Sequence, residues 1–212
     1  DGDFRAVFES IRTPLMILAA WAFAGLVAGG PTAVDLLYDD RYQEAGWAVQ
    51  LLAAGGWMLV LGNTYGAALL AADMPRGVAA GSFAKVLAMA VLIPLGFYVG
   101  EAQQVGLGFP GAVLGYAASE AVRYVVCTAA CRSLGVTGVR NDVRLTLVVA
   151  TVGGLGAVFE WWLRDVGVHV VLRSGLIALV VSLAFVPLAG PLLRERLARR
   201  RAHRAAPAEV RG

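Results

Sequence analysis

Five ionisable side chains lie inside stretches of sequence that are otherwise almost entirely apolar. They are Lys85, Glu120, Arg123, Glu160 and Arg173. An ionisable group at membrane depth costs about 2.5 to 3.5 kcal/mol even on a lenient insertion scale, so each of these residues needs a partner or a function. Lysine and arginine together suit an anionic ligand, because a guanidinium group offers two parallel hydrogen bonds to a phosphate.

Lys85, Glu120 and Arg123 are predicted to form one group. At 1.5 Å per residue, Lys85 and Arg123 each lie about 12 Å in from the same end of neighbouring helices. Glu120 shares a face with Arg123 at spacing i, i+3. The group has one excess positive charge and suits a phosphate or pyrophosphate in a polar cavity, with Asn63 and Thr64 as further lining. Purely structural pairing of the same three charges remains equally open.

Glu160 and Arg173 form a second predicted pair. They lie on consecutive helices that a short turn joins, so they meet at similar depth near one end of the bundle. We expect this ion pair to be structural.

The elements that must position these residues are six apolar stretches, each long enough to cross a bilayer. Hydrophobic residues make up 58% of the chain, charged residues 16%, and the mean hydropathy is +0.69. A membrane-spanning helix needs about 20 apolar residues. The sequence predicts an all-α transmembrane bundle over residues 1–193, followed by a basic tail over 194–212. The predicted spans are 14–33, 47–71, 77–99, 109–131, 145–163 and 168–191.

Arginines fall into alternate gaps between the apolar stretches, and this asymmetry predicts orientation by the positive-inside rule. One set of gaps contains Arg5, Arg12, Arg76, Arg132, Arg140, Arg144 and the basic run that starts at Arg194. The opposite set contains Asp35, Asp39, Asp40, Glu44, Glu101 and Asp165, with Arg41 and Arg164 as its cations. Both termini are therefore predicted to be cytoplasmic.

Several kinds of function are disfavoured by what the sequence contains. No Ser, His and Asp arrangement and no phosphate-cradling GxxxxGK motif is present, so we expect no enzyme and no cofactor. Cys127 and Cys131 share a helix face, but His169 and His203 lie elsewhere, so we expect no metal site and assign the cysteines to helix packing. The basic tail is interpreted as a topology anchor rather than a nucleic-acid site.

Three segments resemble one known family in content and order. The first is GPTAVDLLYDDRYQEAGWAVQLLAAGGW, which starts at Gly30, the second is AALLAADMPRGVAAGSFAKV, from Ala67, and the third is GLGFPGAVLGYAASEAVRY, from Gly106. They resemble the polysaccharide and oligosaccharide flippases of the multidrug, oligosaccharidyl-lipid and polysaccharide exporter superfamily. The resemblance covers the first four helices, and the last two follow the family by hydropathy alone.

The resemblance implies a transporter of the cytoplasmic membrane that flips a lipid-linked glycan precursor by alternating access. Lys85 and Arg123 would contact phosphate, and Glu120 would hold Arg123 or take up a coupling cation or proton. Family members have two helical lobes in one chain, so the resemblance implies that these six helices are the C-terminal part. The implied partners are the lipid-linked glycan, membrane lipids, an N-terminal lobe, and a glycan polymerase or glycosyltransferases.

Two other functions remain open. A cation-coupled drug or small-molecule exporter of the same superfamily would want an acid-dominated site, whereas the predicted site has surplus cations. A non-transporting membrane scaffold would use the same ion pairs merely to lock helices together.

Overall fold

The chain forms six α-helices and no strand in the computed structural model, which describes residues 2–38, 41, 45–135 and 138–205, with side chains between residues 7 and 188. The helices are α1 (Gly2–Leu37), α2 (Gly46–Ala71), α3 (Pro75–Gln103), α4 (Gly108–Cys131), α5 (Val139–Asp165) and α6 (Val170–Ala205). A short 3-10 turn, Arg132–Leu134, follows α4. The predicted all-α bundle is confirmed.

The helices pack in an order that differs from their order in the chain. The helix α3 packs mainly on α4, α4 also packs on α2, α2 on α1, and α1 on both α5 and α6. A hydrophobic core of small and large side chains joins α1, α2, α5 and α6. In it, Ala20, Ala24 and Ala28 of α1 lie with Trp57 of α2 and Val181 of α6. Because α3 has few contacts with helices other than α4, Gly81 is its only buried residue.

Within the described residues, four helices are long and apolar enough to cross a membrane. They are Val7–Leu37, Pro75–Gln103, Val139–Asp165 and Val170–Leu188. Of the two remaining long helices, α2 buries ten residues, and α4 buries the polar side chains of Ser119, Glu120 and Thr128. A helix that meets protein instead of lipid tolerates polar side chains, because neighbouring helices can satisfy them. The chain is therefore membrane-embedded by composition, and the spanning of α2 and α4 stays a prediction.

Three helices extend beyond their predicted bounds by six residues or more at one end. The helix α1 begins at Gly2 instead of residue 14, and α5 begins at Val139 instead of residue 145. The helix α6 continues to Ala205, so most of the predicted tail 194–212 is helical, and residues 206–212 lie outside the described part. Hydropathy marks the segment that suits lipid, whereas a helix continues for as long as its backbone hydrogen bonds do. This difference places Arg12 and Asp142 inside helices.

The helices α3 and α4 approach each other closely at glycine residues of both helices. A Cβ atom at Gly96 would collide with the backbone of Gly111, and one at Gly115 would collide with the backbone of Leu92. Small residues allow such close backbone contact, which is how helices associate in lipid. The pair therefore forms a tight hairpin, and at its turn Glu101 accepts a hydrogen bond from the backbone of Gly108 at 3.2 Å.

Two ends of the bundle can be distinguished by the buried arginine that each contains. At the Arg12 end, α1, α3 and α5 begin and α2 and α4 terminate. At the Arg173 end, α1 and α5 terminate and α2 and α6 begin. Asp39, Asp40 and Glu44, which were predicted to make the loop after α1 acidic, lie outside the described residues.

Candidate functional site

Lys85, Glu120 and Arg123, hereafter the Lys85 group, lie together between α3 and α4. The ammonium group of Lys85 donates a hydrogen bond to Oε1 of Glu120, and the same nitrogen lies 5.4 Å from the centre of the Tyr116 ring. The Glu120 side chain is 0% exposed, and Lys85 is 20% exposed. The second carboxylate oxygen of Glu120 has no hydrogen-bond partner within the described side chains.

Arg123 is the half-buried cation of this group, and it has no carboxylate partner in the described part of the chain. It lies one turn along α4 from Glu120, but Glu120 pairs with Lys85 instead. The Nε atom of Arg123 is buried and has no hydrogen-bond partner. A Cβ atom at Gly81 of α3 would lie 3.6 Å from the Arg123 side chain, so this arginine packs closely against α3.

Incomplete hydrogen bonding is concentrated on α4. Among the described side chains, four buried polar atoms lack a partner: Glu120 Oε2, Arg123 Nε, Thr128 Oγ1 and Arg173 Nε. Three of these atoms belong to α4, although buried polar groups in proteins are normally matched. A bound ligand or water supplies such missing partners in many functional sites. The Lys85 group therefore has unused capacity to bind an anion at Arg123 and a cation or proton at Glu120.

Asn63 and Thr64, the two predicted further members of the cavity, lie on α2. Thr64 accepts a hydrogen bond from Nε of Arg12 at 3.0 Å and donates one to the carbonyl oxygen of Leu61 at 2.8 Å. Asn63 is exposed. The structure therefore brings Lys85, Glu120 and Arg123 together and places Thr64 in a separate network around Arg12.

That network, the Arg12 cluster, consists of Arg12, Thr64, Tyr65, Tyr124 and Asp142. Asp142 accepts hydrogen bonds from Nη2 of Arg12 at 2.6 Å and from the hydroxyl groups of Tyr65 and Tyr124 at 2.7 and 3.0 Å. The Arg12 guanidinium also lies 4.6 Å from the centre of the Tyr65 ring. The exposed fractions of Arg12 and Asp142 are 7% and 1%. One carboxylate thus ties α5 to α1, α2 and α4.

The sequence contained a signal for this cluster that the hydropathy pattern obscured. Arg12 was assigned to orientation, and Asp142 fell in a predicted loop. Asp142 nevertheless continues the buried stripe of Leu145 and Val149 at spacings of three and seven residues, as one helix face requires. An acidic residue just before an apolar stripe also suits the first turn of a helix, where the backbone dipole favours negative charge.

Glu160 and Arg173 lie together at the other end of the bundle, with Arg173 Nε at 3.7 Å from Glu160 Oε1. The Nη2 atom of Arg173 donates instead to Asp35 of α1, which also pairs with Arg164 at 3.2 Å. Glu160 accepts a hydrogen bond from Thr32 at 2.8 Å. The predicted pair is therefore part of a larger network that joins α1, α5 and α6.

The cysteines lie near the Arg12 end. Cys127 and Cys131 are free and buried beside Tyr65 and Leu69, and Cys131 contacts the carbonyl oxygen of Tyr65 at 3.6 Å. No group of three His, Cys, Asp or Glu side chains suited to a metal ion occurs within the described residues. The buried, hydrophobic surroundings of Cys127 and Cys131 agree with a role of these cysteines in helix packing.

No protein family, curated protein or solved structure matches this chain. The resemblance to polysaccharide flippases therefore stays a prediction, and function must be argued from the geometry of the buried charges.

Proposed function

We propose that this chain is part of a multi-pass transporter of the cytoplasmic membrane that moves a lipid-linked oligosaccharide or polysaccharide precursor across the bilayer. Both termini lie in the cytoplasm in this proposal. The observation that carries it is Arg123, a half-buried cation whose buried Nε atom has no hydrogen-bond partner and which has no carboxylate partner in the described part of an apolar bundle. An unmatched charge at this depth is expensive and is retained mainly for function.

The chemistry of the Lys85 group suits a pyrophosphate. Arg123 offers a planar guanidinium group that can form two parallel hydrogen bonds with phosphate oxygens. Lys85 has three N–H donors, so it can keep its bond to Glu120 and still donate to an anion. In this proposal Glu120 positions Lys85, whereas the sequence predicted that Glu120 would position Arg123. The sugar would lie beside these cations, while the lipid tail stays in the bilayer.

Only α3 of this pair is loosely attached to the rest of the bundle, because α4 also packs on α2. Gly96 and Gly111 hold the two helices in close contact, whereas α3 meets the rest of the bundle only sparsely. Alternating access commonly works by rigid rocking of one helix group against another around a fixed binding site. An N-terminal lobe of the same protein would form the opposite wall, and a glycan polymerase or glycosyltransferases would be further partners.

Two alternatives have support from particular contacts. The closed Lys85–Glu120 pair and the Arg12 cluster favour a non-transporting scaffold, in which charges only lock helices. The open oxygen of the fully buried Glu120 favours a cation-coupled exporter. Catalysis is not part of any of these proposals.

A complementation experiment tests the transport proposal. The gene that encodes this chain, in its natural full length, is expressed in a strain that lacks its own polysaccharide flippase, as wild type, Arg123→Ala and Arg132→Ala. Arg132 is the matched control because it is an exposed arginine in the turn directly after α4. Surface glycan is measured at matched membrane abundance of the three proteins.

We expect wild type and Arg132→Ala to restore surface glycan and Arg123→Ala to fail. Restoration by all three would exclude Arg123 as the binding residue. Failure of all three, in strains that supply several different lipid-linked glycans, would exclude glycan transport and favour the exporter or scaffold. Drug efflux by the same strains separates those two alternatives.

A further inference from the structure

A polar cavity of about 620 Å³ lies at the Arg12 end between the beginnings of α1 and α5. Its lining contains three arginines and one carboxylate and consists of Glu9, Arg12, Thr13, Gly138, Arg140, Asn141 and Arg144. The net charge of this lining is positive. The cavity is separate from the Lys85 group, which lies between α3 and α4.

We infer that this cavity binds the phosphate head group of an anionic membrane lipid. Arg140 and Arg144 are exposed and one helical turn apart, so their guanidinium groups project from one face of α5. Arg12 forms part of the opposite wall, where Asp142 and Thr64 hold it and Asp142 matches its charge. Two adjacent exposed arginines suit a phosphate, because each guanidinium group can donate two parallel hydrogen bonds.

The surface next to the arginines fits a lipid chain better than a soluble ion. Val143 and Leu147 lie on the same face of α5 as Arg140 and Arg144, and their exposed fractions are 52% and 62%. A lipid whose phosphate sits between the arginines can lay its acyl chain along these two side chains. Inorganic phosphate would leave that apolar strip unused, so we assign the cavity to a lipid.

This inference does not depend on transport. The Arg12 cluster fixes one wall of the cavity and also ties together α1, α2, α4 and α5. A lipid bound against α1 and α5 would therefore stabilise the same end of the bundle that Asp142 already holds. Binding would be a property of the folded chain, whether or not the chain moves a substrate.

Lipid selection by the purified chain tests the inference. The chain is placed in nanodiscs that contain equal amounts of phosphatidylglycerol and phosphatidylcholine with identical acyl chains, and bound lipid is counted by native mass spectrometry. The test variant is Arg140→Gln with Arg144→Gln. The control variant is Arg76→Gln with Arg132→Gln, which removes the same charge from exposed positions at the same end.

We expect wild type and the control variant to retain phosphatidylglycerol and the test variant to lose its preference by about five-fold for each arginine. Equal loss in both variants would overturn the inference, because general surface attraction would then explain the preference. Release of the lipid by millimolar inorganic phosphate would also overturn it, in favour of a soluble anion. The unfolding temperature of each variant without anionic lipid establishes that the fold is intact.

Discussion

The Arg12 cluster and the Lys85 group each pair a buried carboxylate with a cation, but they differ in how completely their polar atoms are matched. Asp142 accepts three hydrogen bonds from three different helices, and no buried polar atom of Arg12 or Asp142 lacks a partner. In the Lys85 group, Glu120 and Arg123 each have an unmatched buried atom. Matched charges lock helices together, whereas unmatched charges leave capacity for a ligand.

The two regions also differ in their surroundings. The Arg12 cluster joins four helices at the end of the bundle, next to the core that α1, α2, α5 and α6 share. The Lys85 group lies in a two-helix hairpin whose outer helix has a single buried residue. A change in the first region should therefore disturb the fold, and a change in the second should disturb binding.

The largest expected effect is that of Asp142→Asn. This change leaves the Arg12 guanidinium buried without its counter-charge, and breaking a buried ion pair from one side costs about 3 to 5 kcal/mol. The free energy of unfolding, measured in detergent by denaturant titration, should fall by that amount. Asp165→Asn is the control, because Asp165 is an exposed acid at the other end of α5 and should have almost no effect. Equal stability of the two variants would contradict the claim that Asp142 holds the four helices together.

Tyr65→Phe should have the next largest effect. The change removes one hydrogen bond to a charged acceptor at 2.7 Å, and such bonds contribute about 1.5 to 3 kcal/mol. Tyr124→Phe removes a longer bond, of 3.0 Å, from a less buried ring and should cost less. Unfolding of both variants under the same conditions checks this order, and a greater loss for Tyr124→Phe would show that the tyrosines do not share one acceptor as described.

Gly96→Ala should separate α3 from α4. The added methyl group would collide with the backbone of Gly111, and overpacking of this kind typically costs about 1 to 3 kcal/mol. Gly25→Ala is a matched control on α1, because a Cβ atom there meets nothing within 4 Å. With one cysteine introduced on α3 and one on α4, the rate of cross-linking between them should fall in Gly96→Ala and stay unchanged in Gly25→Ala. Unchanged cross-linking would mean that the hairpin does not depend on this contact.

The smallest effect on stability is expected for Arg123→Ala. Arg123 has no ion pair to lose in the described part of the chain, so the free energy of unfolding should change by less than about 1 kcal/mol. If Arg123→Ala lowered the free energy of unfolding as much as Asp142→Asn, Arg123 would be a structural residue. The distinction between the two regions would then be lost.

The sequence was sufficient to group Lys85, Glu120 and Arg123, because helix geometry fixes the depth of each residue and the face that it shares with its neighbours. The choice of partner for Glu120 was not predictable. It depends on how far α3 is shifted along α4, and that shift follows from the glycine contacts at Gly96 and Gly111. Spacing within one helix favoured Arg123, whereas packing between helices selected Lys85.

The Arg12 cluster was missed because hydropathy assigned its two charged members to loops. Arg12 and Asp142 lie in helical extensions beyond the apolar spans, where the chain is still buried by other helices. Asp35 was missed in the same way, since it was predicted to face water after the first span but pairs with Arg173. Hydropathy locates the apolar helices, but it does not show which polar residues at the ends of helices are covered by protein.

Binding of a soluble isoprenyl pyrophosphate to the purified chain tests the central claim most directly. The dissociation constant is measured by calorimetry for wild type, Arg123→Ala and Arg132→Ala at equal folded fraction. We expect saturable binding by wild type and Arg132→Ala, and at least about ten-fold weaker binding by Arg123→Ala, because a charged hydrogen bond of 1.4 kcal/mol or more is lost. Equal affinities in all three proteins would show that the unmatched charges between α3 and α4 do not bind an anion.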